Sequence, residues 1–116
     1  MTKYNYELIK GDSWNNVVLF TDSDGAVVDI TGDTVYFTIK NNPITDSDAD
    51  AVFQKIVTSH TSATQGATLI PITATESASF NVGRYDYDIV WKRANGEVIT
   101  VLLGKFMVTQ DVTLGD

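Results

Sequence analysis

The chain of 116 residues has no cysteine, one histidine and two prolines. Without cysteine there can be no disulfide, zinc–thiolate centre or thiol nucleophile, which suits folding in a reducing cytoplasm. His60 lies in a stretch rich in serine and threonine, with no second histidine or cysteine to share a metal. No metal site and no cofactor is expected. Long apolar runs are missing too: the most apolar segment, residues 98–103, falls far short of the roughly 18 residues that cross a bilayer. The opening Met1-Thr2-Lys3-Tyr4-Asn5-Tyr6 lacks the apolar core of a secretion signal. A soluble product with no membrane partner is expected. Positive charge is scarce as well, with 8 Lys and Arg against 15 Asp and Glu and a net charge of -7. That balance repels phosphate backbones and leaves no basic stripe, so nucleic acid is not an expected partner.

What is present is alternation. With 43% hydrophobic residues, a chain of this length buries roughly two thirds of its unfolded surface and needs no covalent staples. Apolar and polar residues alternate over short stretches between turn signals, the pattern of antiparallel sheet. In residues 34–40, Val35, Phe37 and Ile39 share one face and Tyr36 and Thr38 the other. In residues 83–93, Tyr85, Tyr87, Ile89 and Trp91 oppose Asp86, Asp88 and Lys92. Asn95-Gly96 then predicts a type I′ turn into a return strand over 98–108. Apolar on both faces as far as Leu103, that strand should be central, with Gly104 as a bulge that shifts its phase. Asp24-Gly25 predicts a second hairpin between 17–21 and 26–29. Asp29-Ile30-Thr31-Gly32 follows as a turn into the Val35 strand.

Further strands are expected at 4–10, 52–58 and 67–72, the last an edge strand because Pro71 has no N–H to donate. Thr73 and Glu76 have the spacing of a capping box, enough for one helical turn that crosses between sheets, with Phe80 closing the end of the core. The sum is an all-β sandwich of about seven strands in a single domain, 1–116.

Candidate sites are few. Asp46, Asp48 and Asp50 alternate as in a calcium loop, but Ala51 and Val57 stand where an EF-hand needs glycine and glutamate. Asp22 and Asp24 belong to their turn. Asp86 and Asp88 share a polar strand face with Arg84 and Lys92, the arrangement of a solvated charge ladder rather than an acid/base pair. No serine sits in a nucleophile elbow, and no glycine-rich phosphate loop occurs. Of the aromatic residues able to stack on sugars when exposed, Trp91 reads as core, while Trp14 and above all Tyr36 remain candidates. The chain is therefore not expected to be an enzyme.

Motif order adds a resemblance. Gly11-Asp12-Ser13, Asp24-Gly25, Asp29-Ile30-Thr31-Gly32, residues 35–40, Gly83-Arg84-Tyr85-Asp86-Tyr87-Asp88, Asn95-Gly96, Gly104-Lys105-Phe106 and Asp111-Val112-Thr113 follow one another. This succession resembles the amino-terminal domain of the bacteriophage baseplate upper protein family and related small tailed-phage virion proteins. The resemblance implies an immunoglobulin-like antiparallel β-sandwich that joins parts of the tail, baseplate or fibre, made in the host cytoplasm and carried in the virion. Its partners would be other virion proteins, or copies of itself in a ring or trimer. A capsid decoration protein and a carbohydrate-binding or host-adhesion module are the alternatives. Baseplate upper proteins continue into elongated segments, whereas this sequence stops at Asp116. Contact is expected from three places: the 41–50 loop with Asn42, Pro43 and Ile44, the 59–66 loop with Ser62 and Thr64, and an unpaired end from Thr109 onward with Gln110 and Val112.

Overall fold

The computed structural model describes residues 2–41 and 52–110, apart from the side chains of Thr2 and Lys3. Local alternation becomes strand wherever one set of side chains finds a core. In β4 (Thr34–Lys40) the buried set is Val35, Phe37 and Ile39, and in β7 (Gly83–Lys92) it is Tyr85, Tyr87, Ile89 and Trp91. Each such side chain contributes roughly 1.5–3 kcal/mol by leaving water. The other strands are β1 (Thr2–Lys3), β2 (Tyr6–Ile9), β3 (Trp14–Leu19), β5 (Phe53–Val57), β6 (Ala67–Ile72) and β8 (Val98–Thr109).

One sheet runs β1-β8-β7-β4-β5, with β2 also on β8, and the pair β3-β6 packs over it. Because β1 and β2 lie end to end along β8, they act as one interrupted strand, which gives seven strands in two layers among the described residues. The pairings are antiparallel except that β1 and β2 run parallel to β8. The Tyr85 hydroxyl donates to the Asn81 carbonyl at 2.6 Å, a tyrosine corner of the kind found in immunoglobulin domains. The fold is an immunoglobulin-like β-sandwich.

The crossover from β6 to the large sheet is the short helix α1 (Ala74–Ala78). Its capping box is complete: the Glu76 N–H donates to Thr73 Oγ1 at 3.1 Å and the Thr73 N–H to Glu76 Oε1 at 3.0 Å. Phe80 follows and closes the core edge-on to Phe53 and Phe106.

Four local expectations are corrected. The β7–β8 irregularity lies at Ile89/Val90, whose partners are Leu102 and Thr100, so the phase shifts at Val101 and Gly104 stays in the ladder opposite Tyr87. Asn95 does not take positive φ; Gly96 alone does, at 94°, and its N–H donates to the Arg93 carbonyl. The turn is thus centred on Ala94 and Asn95, one residue earlier than a type I′ turn at Asn95-Gly96 requires. Around Asp24-Gly25 the turn forms in the same manner, but only one bridge, Thr21 to Val27, joins its arms. The main partner of β3 is instead β6, from which it receives a full ladder. Finally, Thr109 is not unpaired: it sits opposite Ile9 and accepts from the Lys10 N–H at 2.7 Å.

Candidate functional site

The expected contact residues divide between described and undescribed parts of the chain. Asn42, Pro43, Ile44 and Val112 lie outside the described residues, as do Asp46, Asp48 and Asp50. Ser62, Thr64 and Gln110 are described, and Ser62 and Thr64 share the 59–66 loop while Gln110 stands just past the end of β8. The structure does not bring Gln110 together with the other two in one hydrogen-bonded cluster.

The 59–66 loop is held by its own backbone. A 3-10 turn, Ala63–Gln65, is followed by Gly66 at φ 70°, and a Cβ there would stand 2.6 Å from the Val28 carbonyl oxygen. Ala63 accepts from the Ile30 N–H, and Gly66 from the Phe20 N–H. Ser62 and Thr64 therefore ride on a fixed frame.

His60 helps to build that frame. Its Nε2 lies 2.7 Å from the Asp33 carbonyl and its Nδ1 2.9 Å from Thr68 Oγ1. A carbonyl can only accept, so Nε2 carries a proton, and in the neutral imidazole Thr68 then donates to Nδ1. A hydroxyl facing an imidazole suggests a nucleophile and its base, but Thr68 is 0% exposed and no substrate can reach it. The pair ties the loop to the core.

Asp33 is the buried polar hub that sequence reading missed. It is 3% exposed, and its side chain accepts from Trp91 Nε1 at 2.8 Å, the Ala94 N–H at 2.8 Å and Arg93 Nε at 3.3 Å. Arg93 also lies over the Trp91 ring at 4.8 Å. These contacts fasten the β7–β8 turn to the start of β4. The only clue in the sequence was a carboxylate just after a turn glycine, which reads equally well as solvated.

A cleft of about 680 Å³ opens on the large sheet, lined in part by Tyr4, Asn5, Thr38, Lys40, Asp86 and Lys105. Asp86 pairs with Lys105 across the strands at 2.5 Å. At one wall the Tyr87 hydroxyl donates to the Tyr4 carbonyl at 2.5 Å, and burial pushes the Tyr87 phenol well above its ordinary value. Burial likewise raises the Tyr6 phenol, against a lowering bond from Asn16. Both stay neutral near pH 7 and serve as hydrogen-bonding groups rather than acids.

The proposed aromatic platforms are differently placed. Trp14 stacks on Phe37 at 5.6 Å and meets Tyr6 and Phe106 edge-on, so it belongs to the core margin. Trp91 is core, as read, and Tyr36 is half-buried. The more exposed ring is Tyr4, beside the cleft. Among the described residues no group of three or more His, Cys, Asp or Glu is placed to hold a metal.

No family model and no curated protein matches the chain. Among solved structures, the N-terminal domain of phage TP901-1 ORF48 superposes with a TM-score of 0.55 at 16% identity, over 94% of this chain and 99% of that one. The PmoD soluble domain from Methylocystis sp. ATCC 49242 (Rockwell) gives 0.51 at 16% identity, over 90% and 79%. An extracellular domain of the voltage-gated sodium channel beta4 subunit superposes more loosely, at 0.42 and 14% identity over 97% and 95%. At such identities the likeness concerns the fold, which one phage domain and one bacterial domain share.

Proposed function

We propose that this protein is a structural module of a bacteriophage virion, a non-catalytic domain that joins parts of the tail, baseplate or fibre-attachment region through protein–protein contact. The observation that carries the reading is the end-to-end superposition on a phage domain, 94% of one chain on 99% of the other. The order of turn motifs, which resembles a phage baseplate family, supports it from the sequence side. The framed loop with Ser62 and Thr64, and Gln110 at the end of β8, are the proposed contact points. A standard interface there would bury about 1,600 Å² in all. Mass spectrometry of purified virions tests the reading: the protein should be present at a fixed copy number, and its absence from intact particles ends the proposal.

The cleft beside Tyr4 favours a second reading, carbohydrate binding. An exposed aromatic ring flanked by Asn5, Asp86 and Lys105 offers a stacking face and polar groups for sugar hydroxyls. Calorimetry with host surface polysaccharide separates the two, since a purely structural adaptor gives no heat.

A further inference from the structure

The two layers of the sandwich are unequal, and the smaller leaves an edge open. Strand β3 has β6 on one side and, among the described residues, no strand on the other. The Phe20 N–H donates to the Gly66 carbonyl at 2.8 Å, and with the β3–β6 register this sets the alternation of the ladder. Trp14, Asn16 and Val18 turn their backbone groups to β6, while Asn15, Val17 and Leu19 turn theirs to the open side.

Free edges are ordinarily blunted by charge or proline. The other margins follow that rule: β5 carries Lys55, β6 carries Pro71, and β2 carries Glu7. Strand β3, Trp-Asn-Asn-Val-Val-Leu, has neither device. Val17 and Leu19 stand 59% and 64% exposed on it.

Beside this edge runs a groove of about 430 Å³ between the layers, with Val18, Phe20, Ile99, Val101 and Leu102 among its lining residues. Residues 14–21 and 98–104, which form its two sides, contain no charged side chain in a chain of net charge -7. A second copy can approach along this margin without like charges meeting face to face. The row of backbone donors and acceptors calls for another strand, and a small ligand cannot satisfy it.

We infer that β3 pairs antiparallel with β3 of a second copy about a two-fold axis. The small layers then merge into one four-stranded sheet, β6-β3-β3-β6, and the two apolar grooves close against each other. This goes beyond the functional reading above and does not depend on it, because self-association can be measured on the isolated chain whether or not it belongs to a virion.

Sedimentation equilibrium of the full chain over a wide concentration range is the test. The wild type should rise toward twice the chain mass of 12.7 kDa. Val17→Lys should weaken association by about tenfold or more, while Ile56→Lys, at an exposed position on β5, leaves it unchanged. A monomer at every concentration, a dimer that ignores Val17→Lys, or equal loss with Ile56→Lys overturns the inference. Should Val17→Lys fail to fold, hydrogen exchange on the wild type decides: the Val17 and Leu19 amides gain protection with concentration, or the pairing is wrong.

Discussion

The Tyr4 carbonyl lies directly over Gly104: a Cβ at Gly104 would stand 2.0 Å from that oxygen. At this point, between β1 and β2, the chain continues along β8 in the same register, and the Tyr4 carbonyl accepts from the Tyr87 hydroxyl. Gly104→Ala must push the first strand off β8, because the obstructing atom is backbone and cannot rotate away. A loss of about 2 kcal/mol or more is expected in urea unfolding. Tyr87→Phe alone should cost about 1 kcal/mol, and much less in the Gly104→Ala background, where its acceptor has already moved. Full additivity of the two would show that they do not share this contact.

Asp33→Asn tests the buried hub. Its two carboxylate oxygens receive three donors. An amide offers one oxygen and two N–H groups, so either Ala94 or the Trp91–Arg93 pair meets a donor instead of an acceptor. The expected cost is about 2–4 kcal/mol. Loosening of the 93–97 turn, seen as faster amide exchange at Gly96 and Glu97, should accompany it. Unchanged stability would mean that the hub does not hold the turn.

Acid should act through the cap of α1. The Thr73 backbone N–H, chiefly, holds the Glu76 carboxyl below its ordinary value of 4.5, and Lys55 at 3.1 Å adds to the effect. Folded Glu76 thus gives up its proton more readily than the unfolded chain does. Its stabilisation is present above the ordinary glutamate value and fades as pH falls through the lower folded one. Denaturation midpoints measured from neutral to acidic pH should decline in that window, and Glu76→Gln should flatten the decline. An identical slope in the variant would assign acid sensitivity elsewhere.

How much of this was legible beforehand follows from the range of each interaction. The faces of β4 and β7, the Thr73–Glu76 cap, the Asp29 turn and Pro71 on an edge are set within a few residues, and each was readable. Asp29 shows the scale: its side chain accepts from the Thr31 N–H and hydroxyl, two residues away. The turn types were read less well, because Asn-Gly and Asp-Gly permit several geometries and only the strands they join choose among them. At the candidate site, Ser62 and Thr64 could be named as loop residues, but the frame beneath them depends on Phe20, Val28, Ile30 and Asp33, all distant in sequence.

The sequence by itself determined that alternating side chains would make strands, where most of them would turn, and that no cysteine chemistry would occur, since these depend on residue type and near neighbours. Tertiary structure alone decided that the first strand runs parallel to the last and that Gly104 must be bare beneath Tyr4. It also decided that Asp33 is buried against Trp91 and that β3, among the described residues, has a strand on one side only. Each of these requires segments tens of residues apart to meet, and where they meet is settled by packing two layers over one core rather than by any local preference.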